Sequence, residues 1–219
     1  MKNTKEKYPL AEELSNTFTH AVGAYLGAAA VSLLVMFAVW SEKDLPWKIV
    51  SGSIFASTII LVYTASTAYH AVTNLRVKEI LRACDQMAIY TLIAGSYTPF
   101  CLVTLRQSHP ILAWAIFGFV WALTLAGIAF KLLVKRKMKY VTTATYLAMG
   151  WFGIFLIKPL YNTFPPGGIA WLVLGGVLYS LGVVFYLWKT MPFNHTVWHL
   201  FVLAGTIAHF FCILFYVMM

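Results

Sequence analysis

The chain is poor in charge and poorer still in acid. Only 11% of its 219 residues are charged, and seven are Asp or Glu against 16 Lys and Arg. Soluble domains carry about 25% charged residues. With 61% hydrophobic residues and a mean hydropathy of +0.77, a water-soluble globule of this size has nowhere to put its apolar surface. That excludes a soluble enzyme and a disordered tail. Cysteine is scarce too: Cys84, Cys101 and Cys212 form no Cys-x-x-Cys pair, which excludes a disulfide framework and a thiolate metal site. Acid stops early, because Glu6, Glu12, Glu13, Glu42, Asp44, Glu79 and Asp85 leave the last 134 residues (219 − 85) without a carboxylate. Charged chemistry in the C-terminal half therefore falls to His, Tyr, Cys or a cation.

What the chain does have is long apolar runs. A spanning helix needs about 20 mainly apolar residues. Seven such runs lie at about 18–40, 48–71, 82–104, 110–131, 141–160, 168–188 and 195–217. Charges, Pro and Gly separate them at 41–46, 74–79, 106–110, 135–139, 162–168 and 190–194. The runs are too long for barrel strands and lack their alternation. The expected fold is an all-α integral membrane protein, one seven-helix bundle over residues 1–219. The first 13 residues are too charged for the core of a signal peptide, so the first run is expected to stay as an anchor.

Orientation follows from the cations. With the N-terminus inside, twelve Lys and Arg fall on the cytoplasmic side (Lys2, Lys5, Lys7, Arg76, Lys78, Arg82, Lys131, Lys135, Arg136, Lys137, Lys139 and Lys189) and four on the other (Lys43, Lys48, Arg106 and Lys158). The N-terminus is expected in the cytosol and the C-terminus outside. The net charge of +9 raises nucleic acid as a partner, but the cluster at 131–139 reads as a positive-inside loop touching anionic headgroups.

Ionisable groups inside a bundle are costly and tend to be functional. Asp85, just inside the third run, is expected to be the one carboxylate embedded in the bundle. His70 ends the second run, while His195 and His199 open the seventh, so the four groups share a depth near one face. His195 and His199 stand four residues apart on one helix face, as do Ser66 and His70. Two readings of this set are open. Three neutral imidazoles and one water make an open tetrahedral zinc site, with Asp85 taking a proton from that water and Ser66 hydrogen-bonding nearby. Alternatively the histidines bond backbone or Tyr groups between helices, and Asp85 pairs with Arg82 or Arg76. His20, following Glu13 and Asn16, opens the first run on the same side. Either the three support the ligands from behind, or His20 makes a helix-start hydrogen bond. His209 lies ten residues beyond His199, about 15 Å along the axis, too far to share an ion. The many Phe, Tyr and Trp residues read as lipid-facing and interface belts.

Four blocks carry a resemblance. They are Glu13-Leu14-Ser15-Asn16-Thr17-Phe18-Thr19-His20, Ser66-Thr67-Ala68-Tyr69-His70, the stretch from Asp85 through Tyr90 and Gly95 to Pro99, and Phe193-Asn194-His195-Thr196-Val197-Trp198-His199. Over nearly its full length the chain resembles the bacterial haemolysin III proteins, a branch of the progestin and adiponectin receptor family. The resemblance implies seven transmembrane helices in the inner membrane and a cytoplasmic-side zinc ion (Zn2+) held by His70, His195 and His199. It places Asp85 near the water at the zinc and Ser66 in the same constellation. Gln86 departs from the family pattern, where His often follows the aspartate. The wider superfamily includes alkaline ceramidases, zinc-dependent hydrolases of lipid amides. The implied function is hydrolysis of a lipid amide or ester, with membrane lipids as partners and substrate and no nucleic acid. Two other functions compete: a receptor or sensor of membrane lipid state whose zinc is structural, and a pore-forming cytolysin. An export signal and a soluble domain, which a secreted toxin normally needs, are not expected in this chain.

Overall fold

A computed structural model describes residues 8–134, 138–161 and 164–219. Lys2, Lys5, Lys7, Lys135, Arg136 and Lys137, used above for orientation, lie outside the described residues, as do Asn162 and Thr163 of the sixth break. Seven helices are long and apolar enough to span a membrane: α1 (Leu10–Ser41), α2 (Leu45–Ala71), α3 (Leu75–Ser108), α4 (Pro110–Leu133), α5 (Lys139–Tyr161), α6 (Pro166–Leu187) and α7 (Asn194–Met218). No strand occurs among the described residues.

The helix starts use ordinary signals. Proline stands in the first two positions of α2, α4 and α6, where its missing N–H is no loss. Asn74 caps α3, its side chain accepting from the amides of Arg76 and Val77. Helix α1 begins at Leu10, two turns before the expected start at 18. Glu12 and Glu13 depress the local hydropathy, but both are buried against polar partners, so the helix runs on through them.

From α1 to α4 each helix packs against the next as an antiparallel neighbour, α6 packs against α7, and α7 returns against α1 to close the bundle. Small residues set the close approaches. A Cβ on Gly23 of α1 would meet the Tyr63 ring of α2, and one on Gly95 of α3 would overlap Thr58. The bundle is inside out relative to a soluble protein: Leu26, Met36, Phe119, Leu125, Leu181 and Val184 are exposed. Not every aromatic lies in that outer belt. Tyr63, Phe55, Tyr90 and Phe100 are core residues, and the rings of Tyr63 and Tyr90 fill the space beside Gly23 and Gly127.

Two helices are irregular where they meet. Pro99 is followed by a π-helical stretch, Phe100–Leu105, in α3. Helix α5 breaks between Trp151 and Ile154, and the Tyr97 hydroxyl contacts the carbonyls of Met149 and Gly150 at 2.8 Å each. A protein donor there replaces the water that a bilayer does not supply.

Candidate metal centre

The end of the bundle where α2 finishes and α7 starts collects three histidines. His70, His195 and His199 are all buried, and one ring nitrogen from each lies within 4.8 Å of the others. Their ring centroids are 4.5 to 5.1 Å apart. The i, i+4 spacing on α7 puts His195 and His199 on one face, and α2 presents its last turn to that face.

Neighbours fix the tautomers. His70 Nδ1 lies 2.6 Å from Glu13 Oε2, and a carboxylate accepts, so Nδ1 carries the proton. In the neutral ring Nε2 then carries the lone pair, buried and without a hydrogen-bond partner among the described residues. Lys78 holds the other Glu13 oxygen at 3.0 Å. Thr19 gives its single proton to a carbonyl of its own helix, Ser15 at 2.9 Å or Asn16 at 3.0 Å. Toward His199 Nδ1, 3.3 Å away, it therefore accepts, which leaves the lone pair of His199 at Nε2. Carboxylate or hydroxyl behind one imidazole nitrogen, with the other bare, is how proteins orient metal-binding histidines. Glu12 accepts from the His195 backbone amide at 3.4 Å, and Tyr8 stacks on the His195 ring at 4.9 Å. Burial pushes the Tyr8 phenol up, so it stays neutral.

The other sequence-derived residues take definite places. Asp85 is half-buried and lines a cavity of about 180 Å³ with His20, His195 and His199. It is not the embedded carboxylate expected: Glu12 and Glu13 are each 7% exposed and lie deeper. Glu13 is where the sequence expects it, behind the ligands, whereas Glu12 lies before the expected helix start at 18 and has no expected role. Ser66 stands one turn before His70, fully buried, its hydroxyl unpartnered among the described residues. Asn16 accepts from the Thr196 hydroxyl at 2.7 Å and ties α1 to α7, while its Nδ2 has no partner among the described residues. His20 is not a helix-start residue, since α1 begins ten positions earlier. Its ring stacks on His199 at 3.5 Å and meets the edge of Tyr63, and neither ring nitrogen has a hydrogen-bond partner among the described residues. His209 hydrogen-bonds the Leu172 carbonyl at 3.2 Å and stands apart from the cluster.

The Haemolysin-III related family model matches residues 8–210. The chain belongs to the haemolysin-III family. It is 43% identical over 209 residues to a Hemolysin-3 homolog of Bacillus subtilis, covering 95% of this chain and 96% of that one. It is 40% identical to Hemolysin-3 of Bacillus cereus over 217 residues, 99% and 97% of the two chains. The human Monocyte to macrophage differentiation factor is 32% identical over 222 residues, covering 96% and 87%. This haemolysin-III protein is a multi-pass membrane protein, with seven spanning helices to bear that out.

Sequence reasoning missed Glu12, Lys78, Thr19 and Tyr8 as partners of the cluster. Glu12 and Thr19 did carry a signal: with Asn16 and His20 they follow helical spacing (12, 16, 19, 20), which extends α1 toward its start.

Proposed function

We propose that the chain is a zinc-dependent hydrolase of membrane lipid amides or esters, working at the face that the Lys and Arg distribution assigns to the cytosol. One observation carries this reading: His70, His195 and His199 converge within 4.8 Å beside a cavity that Asp85 also lines. The donor set fits a metal ion, since the bare Nε2 of His70 is buried with no partner among the described residues and three imidazoles suit zinc. When bound, zinc supplies Lewis acidity that polarises a carbonyl and makes water acidic near neutral pH.

The chain's own residues do the rest. The apolar wall of the cavity, with Leu92, Ile93, Leu156 and Val202, takes an acyl chain and excludes water around the carbonyl. Asp85 takes the proton of the attacking water. It then returns that proton to the departing nitrogen or oxygen as the C–N or C–O bond breaks, which yields a carboxylic acid and an amine or alcohol. Ser66 offers its hydroxyl to the carbonyl oxygen as negative charge develops there.

A sensor with a purely structural ion needs a fourth protein ligand, and the converging set holds three imidazoles without Asp85. The name Hemolysin-3 borne by a relative raises lysis. An apolar cavity wall suits an acyl chain better than a conducting path. Asp85→Asn tests the hydrolase reading: it keeps about one zinc per chain and loses hydrolysis of a lipid amide about 10²-fold or more. Zinc lost along with activity makes Asp85 a ligand and favours the sensor.

A further inference from the structure

A second, smaller cavity adjoins the first. It holds about 50 Å³ and shares Asp85, His195 and Trp198 with the larger one. On that measure one water needs about 10–15 Å³, so the space takes roughly three to five water-sized groups. Its lining differs in kind. The larger cavity is walled mainly by aliphatic and aromatic side chains, whereas the smaller is lined by Arg82, Lys139, Gln86, Thr142, Tyr69 and Tyr186.

The balance of charge there is positive. Arg82 and Lys139 face a single carboxylate, Asp85, across the cavity. Lys131 adds a third cation from behind, donating to Gln86 Oε1 at 3.1 Å. Lys139 is oriented by the Tyr186 carbonyl at 3.3 Å and by that residue's ring, 4.2 Å from the ammonium. The Arg82 guanidinium forms no hydrogen bond or ion pair with the described residues, and its five donors suit a carboxylate or phosphate. Helix ends bring these groups together: Lys139 opens α5, Tyr186 ends α6, and Arg82 lies in the third turn of α3.

We propose that this polar cavity is a headgroup subsite for an anionic group, a phosphate or a carboxylate, on the leaving portion of an amphiphile whose acyl chain fills the larger cavity. The inference rests on the hydrolase reading above and narrows it to lipid amides or esters with an anionic head. The two cavities meet at Asp85 and His195, so a molecule spanning both puts its acyl linkage beside the histidine cluster. The chain is then sorted by the apolar wall and the head by Arg82 and Lys139.

The test is calorimetric binding to zinc-loaded full-length protein in dodecylmaltoside, with two ligands that an acyl hydrolase cannot cleave. They are N-dodecylsulfonylglycine, which carries a carboxylate, and its neutral carboxamide. The carboxylate is expected to bind about tenfold to hundredfold more tightly, the range for a charge-assisted hydrogen bond. Arg82→Gln removes most of that preference and Lys139→Gln a smaller part. Both variants bind the carboxamide and zinc as the parent does, which also shows that they are folded. Equal binding of the two ligands, or a preference that survives in both variants, overturns the subsite and leaves the hydrolase reading standing. Binding of neither ligand to fully loaded protein overturns both. Inorganic phosphate separates a lipid head from a free anion: it is expected to bind at least 100-fold more weakly than the carboxylate. Tight, Arg82-dependent binding of phosphate alone overturns the proposal in favour of a free-anion site.

Discussion

The two ends of the bundle are both polar, and they are built on opposite principles. At the end where α1 meets α2, Arg106 contacts both oxygens of Asp44 at 2.6 and 2.7 Å, its Nε donates to Leu102, and its guanidinium lies over Trp47. Lys48, though buried, donates to Ser41 and to the Met218 carbonyl at 2.8 Å each, fastening the end of α7. Donors there meet acceptors. At the histidine end, His70 Nε2, Ser66 Oγ, Asn16 Nδ2 and both nitrogens of His20 are buried without hydrogen bonds among the described residues. Each such group costs about 1–3 kcal/mol. Polar residues in a membrane bundle are therefore not in themselves a site. The mark of a site is hydrogen-bonding and ligating capacity that the chain does not use on itself.

The largest effect that can break this contrast is metal loss. His199→Ala is expected to fall from about one zinc per chain to near none by elemental mass spectrometry, and His195→Ala likewise. Chelation should lower the melting temperature of the parent and leave that of the variants unchanged, because an ion that binds only the folded chain stabilises it by mass action. Full zinc in a His70→Ala, His195→Ala double variant would sink the centre as drawn. Next in size is Glu13→Gln. The amide is a weaker acceptor for His70 Nδ1–H, and such partners typically carry tenfold to hundredfold in metal affinity. Competition with a zinc-binding dye measures it, and unchanged affinity would make the Glu13–His70–Lys78 contact a helix tie only.

How much of this was legible beforehand follows from what each signal measures. Hydropathy reads length and apolarity, so the seven helices were plain. It fails where a helix carries acid, which is why α1 appeared to start at 18 and Glu13 stood outside the expected bundle. The histidine set was readable because i, i+4 spacing and helix direction together fix both face and depth. Pairing across distant positions has no period: nothing local joins Glu13 to His70, or His20 to His199. Composition likewise counted Tyr63 and Phe55 among the outer aromatics, although both are in the core. The π-helical stretch after Pro99 and the break in α5 depend on tertiary contacts such as Tyr97 to Met149, and the sequence marks them only by Pro and Gly.

The opposite end supplies the control. Arg106→Gln removes the contact with Asp44 and is expected to cost about 1–3 kcal/mol, read as a lower melting temperature in detergent, with zinc content unchanged. Metal lost from that variant would mean the two ends are coupled and that their contrast says nothing local.

The smallest expected effect sharpens the boundary of the site itself. His209 lies on the same helix as two of the ligands and lines the same cavity, so proximity in sequence and cavity alike would enlist it. Its Nε2 is occupied by the Leu172 carbonyl, and the Cδ2–Nε2 edge of its ring fills the space beside Gly175 on α6. That edge cannot also turn to a metal about 15 Å away along α7. His209→Ala should therefore keep full zinc and lose only modest stability, from one hydrogen bond and the space the ring leaves. If zinc leaves with His209, the depth assigned to α7 is wrong, and the centre is not confined to the three converging histidines.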